Sequence, residues 1–222
     1  MVKKTVLITG GTDGLGKRLV EVFLKNGWNV ATFGRRNELV REIERENVGE
    51  SLLVKQCDIT LSNQVDIFLN AVWDNFYGVD LVVLNASALG PTPLAPFRDL
   101  TPDAFREVYE TNIFGNISLI MKLIKRSGNR HLAIVHVTSD AGSTPYENWS
   151  PYGSSKAAMD FIIKILNAEG QKVGLKAFNF DPGDMNTEMH RRALPDDKPE
   201  KLKDPLLSAE EMFSNILKGE YL

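Results

Sequence analysis

Six short runs of β-branched and apolar residues recur along the chain, at Lys4–Ile8, Asn29–Phe33, Ser51–Gln56, Leu81–Leu84, Leu132–Val137 and Leu175–Phe180. Runs such as Val6-Leu7-Ile8 lack polar alternation, the pattern of strands buried on both faces of a parallel sheet. Between them lie longer stretches of helical period, near 14–26, 37–47, 62–76, 101–126 and 151–169. The first carries an apolar stripe of Leu15, Leu19, Val22 and Phe23. Another helix is expected around Ser208–Leu217. Strand alternating with helix predicts an α/β fold, a doubly wound parallel sheet covered on both faces. Its expected strand order is 3-2-1-4-5-6, with ligands at the carboxyl ends of the strands. No repeat or linker marks a second domain, so residues 1–222 are expected to form one.

The first strand runs directly into Thr9-Gly10-Gly11-Thr12-Asp13-Gly14-Leu15-Gly16 and then a helix. Strand, glycine turn and helix together make a phosphate site, because glycines admit a pyrophosphate close to the backbone and the helix start offers free N–H groups. The glycines at 10, 14 and 16 follow Thr-Gly-x-x-x-Gly-x-Gly rather than the common Gly-x-Gly-x-x-Gly spacing.

Tyr152 and Lys156 are four residues apart, on one face of a helix. An ammonium beside a phenol favours phenolate, which suits proton transfer to or from a carbonyl or alcohol oxygen. Asn112 lies inside a helical pattern, where asparagine is a poor helix former, and Ser139 ends the fifth strand. By itself Ser139 reads first as an N-cap or turn serine before Asp140-Ala141-Gly142. Tyr146 has Ser150, not lysine, four residues on.

Together these segments resemble the classical short-chain dehydrogenase/reductase family, in order and over almost the whole chain. The resemblance rests on the glycine turn, Cys57-Asp58-Ile59-Thr60, Leu84-Asn85-Ala86-Ser87, Thr111-Asn112-Ile113-Phe114-Gly115, Val137-Thr138-Ser139, Tyr152 with Lys156, and Asp181 through Thr187. The fourth-strand motif, Asn-Asn-Ala-Gly in the family, keeps only Asn85 and Ala86 here. The resemblance implies a Rossmann-type domain with a catalytic tetrad of Asn112, Ser139, Tyr152 and Lys156. It also implies dinucleotide contacts from Thr9, Gly10, Thr12, Asp13, Gly14, Leu15, Gly16, Asp58, Ile59, Asn85, Ala86, Tyr152, Lys156, Pro182, Gly183 and Thr187. In that scheme Asp58 meets the adenine, Ser139 the substrate oxygen, Lys156 the nicotinamide ribose, and Asn112 a water linking Lys156 to solvent.

The second strand ends in Gly34-Arg35-Arg36, where NAD-preferring members place an acid. Two guanidiniums suit a 2′-phosphate, so NADP(H) is the expected cofactor, with NAD(H) possible. Asp13, where some NADP-preferring relatives carry a basic residue, argues the other way. Residues 184–206 are expected to form a substrate lid, whose Met185, Met189 and Leu194 either face the pocket or pack the lid down. Trp149, Phe97, Met185 and Met189 hint at an apolar or aromatic substrate, and His190 is a possible lid contact.

A net charge of −3 offers no electrostatic footprint for nucleic acid or anionic membrane. No stretch has the length and apolarity of a spanning helix, and the early first strand leaves no room for a signal peptide. The single Cys57 cannot form an internal disulfide, which fits the cytoplasm. No histidine or carboxylate spacing suggests a metal. The family's seventh strand is expected to be missing or vestigial after Leu217, which favours a homodimer, through the helices near 101–126 and 151–169, over a tetramer. The expected activity is hydride transfer between NADP(H) and a small carbonyl or alcohol substrate. The competing readings are an idle NADP(H) sensor and an isomerase or dehydratase using the same site.

Overall fold

All six expected strands form in the computed structural model, which describes residues 3–47, 49, 51–128, 130–170 and 174–219. They are β1 (Thr5–Thr9), β2 (Asn29–Gly34), β3 (Leu52–Gln56), β4 (Leu81–Leu84), β5 (Leu132–Val137) and β6 (Leu175–Phe180). Their order is β3-β2-β1-β4-β5-β6, and every neighbouring pair is parallel. Strand β1 is flanked by β2 and β4, so the winding reverses there and opens a crevice at their carboxyl ends. Among the described residues there is no seventh strand; residues 220–222, on which that expectation partly rests, lie outside them.

The helices are α1 (Gly14–Lys25), α2 (Asn37–Glu46), α3 (Ser62–Phe76), α4 (Pro102–Tyr109), α5 (Asn116–Ser127), α6 (Ser150–Gly170), α7 (Glu188–Ala193) and α8 (Pro205–Leu217). Alternate side chains of each strand serve opposite faces. Val6, Ile8, Val83 and Val135 join a core with α1, α2 and α8, where Phe23 meets Trp28 and Phe213 edge-on at 5.2 and 5.1 Å. Leu7, Val82, Leu84 and Ile134 join a second core with α3, α5 and α6. Each fully buried aliphatic or aromatic side chain contributes about 1.5–3 kcal/mol, and these two layers fix the carboxyl edge of the sheet.

One expected helix is broken. Residues 101–126 form α4, a π-helical turn at Glu110–Gly115, and α5. The wider turn rotates Asn112 inward, where its carboxamide finds partners outside the helix. It is closed by Gly115, where a Cβ would lie 3.1 Å from Ile59 and the Glu110 carbonyl.

Residues 184–204 leave the sheet after β6 and return to α8, which begins earlier than expected, at Pro205. The two ends are clipped by a parallel bridge, Asn186 N–H to Lys203 O at 2.9 Å and Lys203 N–H to Asp184 O at 3.0 Å. Within the segment α7 is capped by Thr187, whose Oγ1 accepts from His190 N–H at 3.2 Å. No helix among the described residues is long and apolar enough to cross a membrane.

Candidate active site

At the crevice between β1 and β4 the backbone turns through Gly10 and Gly14, both with positive φ, at 67° and 51°. Asp13 caps α1, its Oδ1 accepting from Gly14 N–H at 2.8 Å. The next first-turn N–H groups, of Leu15 and Gly16, lack intrahelical acceptors, as at any helix start. Asn85 braces the turn from below, its Nδ2 donating to Thr9 O and Gly10 O at 3.0 and 3.2 Å. Two residues expected to touch a dinucleotide lie behind the turn instead. Thr9 is wholly buried, its Oγ1 accepting from Asn85 and Ala86 N–H at 2.9 and 2.8 Å, which stitches β1 to β4. Gly16 packs against Gly10 O, leaving no space for a side chain.

The other expected contacts line a cleft of about 860 Å³. Gly10, Thr12, Asp13, Gly14 and Leu15 form one side, with Arg35, Arg36, Asp58 and Ile59 at one end. Asn85 and Ala86 form the floor, and Pro182, Gly183 and Thr187 stand opposite the glycine turn. A Cβ on Gly14 would reach within 3.5 Å of Thr187 Cγ2. The two arginines are not equivalent. Arg36 is ion-paired with Asp13 at 2.6 Å, whereas the Arg35 guanidinium has no hydrogen bond or ion pair among the described residues. Left-handed glycines, free helix-start N–H groups and an unpaired guanidinium fit a phosphorylated dinucleotide.

At the cleft's other end lie Ser139, Tyr152 and Lys156. Helix α6 sets Lys156 Nζ 5.4 Å from the centre of the Tyr152 ring and within 2.7 Å of Val137 O, to which it donates. Ser139 lines the cleft and is also a turn serine. Its Oγ caps the turn at Asp140–Gly142, accepting from Ala141 N–H at 3.2 Å, and donates to Asp140 Oδ1 at 3.1 Å. Tyr146, excluded as a catalytic tyrosine, donates to the other oxygen of Asp140 at 2.6 Å. Asn112 does not reach the cleft. Its Oδ1 accepts from Ala88 N–H at 2.7 Å, and its Nδ2 donates to Ala88 O at 3.0 Å and Ser155 Oγ at 2.9 Å. It thereby ties the loop after β4 to α6 and holds Tyr152 and Lys156 in register with the sheet.

Trp149, Met185, Met189 and His190 line the cleft, as expected of possible substrate contacts. Trp149 meets Tyr152 edge-on at 5.6 Å, and Leu89 and Ala193 complete that apolar wall. His190 also holds Asp197 at 2.9 Å. Phe97 and Leu194 do not line it: Phe97 is 70% exposed and meets Phe105 edge-on, and Leu194 is 37% exposed. Ser87 and Arg192 are among the lining residues to which sequence reasoning assigned no role. For Ser87 the signal was present, in its departure from the family's glycine. Arg192 donates to Thr92 Oγ1 at 3.3 Å.

Electrostatics here depart from the simplest expectation. Burial raises the Tyr152 phenol, opposed by the Ser139 and Ser87 hydroxyls that face it, with the Asp181 and Asp140 charges adding to the rise. Burial also lowers Lys156, to about 8, against the favourable charges of Asp160 and Asp181. Desolvation is the largest influence on both groups, and the phenol stays protonated, ready to act as an acid. Cys57 is buried, its thiol pushed up to about 12 by desolvation, which leaves it inert.

The buried ammonium gives a stability prediction. Lys156→Met keeps the volume and removes the charge. At pH 7 the variant is expected to be more stable by about 2 kcal/mol, after about 1 kcal/mol for the lost bond to Val137. Below pH 8 the wild-type lysine is charged in both states and its desolvation cost is fully present. Between about 8 and 10.5 only the unfolded chain holds the proton, so wild-type stability rises with pH and the two proteins converge. Urea unfolding at pH 7 and 10 measures this; a variant less stable at pH 7 would refute it.

The chain belongs to the short chain dehydrogenase family, whose model matches residues 4–198. It is therefore an oxidoreductase acting on CH–OH or C=O groups. A serine 3-dehydrogenase of Agrobacterium fabrum is 32% identical, over 83% of this chain and 73% of its own. An uncharacterised oxidoreductase of Saccharomyces cerevisiae is 30% identical over 84% and 72%. Among solved structures, ElxO with NADP bound is 26% identical and superposes with a TM-score of 0.84 over 95% of this chain and 90% of its own. None of these relatives supports the idle-sensor reading.

Proposed function

We propose that this chain is an NADP(H)-dependent carbonyl reductase, in which Tyr152 is the general acid. One observation carries the reading: a buried, protonated phenol, with an ammonium over its ring and a serine hydroxyl facing it, opens onto the cleft that begins at the glycine turn. The dinucleotide, held by the turn, Asn85, Ala86 and the 182–187 segment, supplies or accepts the hydride. Tyr152 gives its proton to the oxygen of the reduced carbon. Ser139 fixes that oxygen within reach of the phenol. Lys156 bonds the ribose hydroxyls and stabilises the phenolate left behind. Asn112 acts through these groups as a positioning residue.

Preference for the 2′-phosphate rests on Arg35, whose guanidinium is unengaged, and is supported by the NADP in ElxO. Arg36 is partly neutralised by Asp13, so it contributes less. Arg35→Ala is expected to lower the NADPH-over-NADH ratio of kcat/KM by about tenfold or more. Asp13→Asn should raise that ratio, because it frees Arg36 while an amide oxygen still caps α1. A ratio untouched by Arg35→Ala would place the selectivity elsewhere.

Residues 1–222 act in this reading as one domain, with residues 184–204 as its substrate lid. The chain would work in the cytoplasm as a homodimer through α5 and α6. Met121 and Phe161, each 65% exposed, with Ile124 and Ile165, leave an apolar surface there that supports a partner copy. Sedimentation at the mass of one subunit would count against the dimer. The enzyme reading itself is tested by NADPH and NADH oxidation against aldehydes, ketones, diketones and quinones.

A further inference from the structure

Helix α6 carries a carboxylate to which the reductase reading gives no part. Asp160 follows Lys156 by four residues, so the two side chains share one face of the helix, a turn apart. The turn at Asp140–Gly142 covers both, since a Cβ on Gly142 would lie 3.1 Å from Asp160 Oδ2 and 3.2 Å from Lys156 Cβ. The same pair grips the end of β5. Lys156 donates to Val137 O at 2.7 Å, and Asp160 Oδ2 accepts from Thr138 Oγ1 at 2.8 Å, one residue before Ser139.

The other carboxylate oxygen is more informative. Asp160 Oδ1 is buried, has no hydrogen-bond partner among the described residues, and lies 3.2 Å from His136 Nδ1. The imidazole does not answer it. Asn179 donates from Nδ2 to Asp160 O at 3.1 Å, which leaves its Oδ1 to accept the His136 Nδ1 hydrogen, also at 3.1 Å. Desolvation moreover pushes His136 towards its neutral form, so it brings no positive charge. A buried carboxylate oxygen in this position calls for a cation. Lys156 is faced by Tyr152 and Asp160 on its own helix, by His136 on β5 and by Asp181 after β6. Burial holds Tyr152 and His136 neutral, and Asp181 is exposed to solvent. Asp160 is therefore the enclosed negative charge beside the ammonium.

We propose that Asp160 is a positioning residue for the reaction: the counter-charge that keeps Lys156 an ammonium and holds it, with Thr138, against the end of β5. The inference rests on the reductase reading, in which Tyr152 gives up its proton and Lys156 stabilises the phenolate left behind. A neutral amine would not do so. Burial already lowers Lys156 to about 8, and Asp160 is the larger of the two charges that oppose the fall. Activity of the wild type should then be lost as pH rises through about 8. The Asp160 charge favours the ammonium, so its removal moves that loss to lower pH.

The test is the pH profile of kcat/KM for NADPH-dependent reduction of one ketone by the wild type, Asp160→Asn and Asp160→Glu. Asparagine keeps the shape and an acceptor for Thr138, and glutamate keeps the charge. Asp160→Asn is expected to move the alkaline loss of activity down by about one unit, and Asp160→Glu to restore most of that shift. Should the amide fail to fold, Asp160→Ser, smaller and equally neutral, is read in the same way. An alkaline limb within about 0.3 unit of wild type in the neutral variant overturns the inference, even with activity lower at every pH, because lost packing alone would do that. Wild-type turnover in that case leaves the reductase reading standing. No wild-type turnover of any carbonyl with either dinucleotide would sink that reading, and the role of Asp160 with it.

Discussion

Tyr152→Phe is expected to lower kcat by about 10³-fold while leaving NADPH affinity within about twofold of wild type. The substitution removes one oxygen and keeps the ring, which packs against Trp149, Leu89 and Ala193. Burial has already pushed the phenol towards its neutral form, so no charge is lost from the resting site. Folding should therefore be unaffected, and what disappears is the proton for the developing alkoxide. Fluorescence titration with NADPH and steady-state reduction of one good ketone measure the two halves separately. Activity within tenfold of wild type would mean that another group, such as Asp140 acting through Ser139, supplies the proton.

A Cβ at Gly16 should be nearly as damaging to function, for a purely steric reason. It would collide with Gly10 O and come within 2.6 Å of the Asn85 amide, so the atoms that must yield are the turn and its brace. Neither can move without opening the glycine turn or pulling β1 from β4. Gly16→Ala is expected to cost about 2–3 kcal/mol of stability and about 100-fold or more in dinucleotide affinity. Gly49, with nothing within 4 Å of its own added Cβ, is the control that should accept alanine. Thermal unfolding with and without NADPH reads both effects. A Gly16→Ala protein that is shifted upward by NADPH as much as wild type would show that the turn tolerates the crowding.

The sheet was legible because β1, β4 and β5 are buried on both faces and are apolar throughout except for Thr5, Thr9 and His136. Helix α7 was not: Glu188-Met-His-Arg-Arg-Ala is short and polar, and it is fixed by the Thr187 cap and the Met185–Lys203 bridge rather than by an apolar stripe. The break in the 101–126 helix was equally hidden. Apolar spacing there suits a continuous α-helix, and only the contacts of Asn112 with Ala88 and Ser155, far away in sequence, select the π turn. The sequence did mark Asn112 as out of place in a helix, which was the correct warning. Site residues followed from ordered motifs, but their division of labour did not. Thr9 and Gly16 build the turn from behind it, and Arg36 is held by Asp13, because these roles depend on three-dimensional neighbours. Tyr152 shows the same limit electrostatically, since Lys156 four residues away suggested a lowered phenol, whereas burial sets the outcome.

The most direct test of the reductase account is isotopic. NADPH carrying deuterium at nicotinamide C4, with the label on each face in turn, is incubated with the protein and the best ketone of the panel, and the product is examined by mass spectrometry and NMR. The account predicts an alcohol with one deuterium on the carbinol carbon from one labelled face only, formed in step with NADPH oxidation and abolished by Tyr152→Phe. Tight NADPH binding without label transfer to any carbonyl substrate would contradict it.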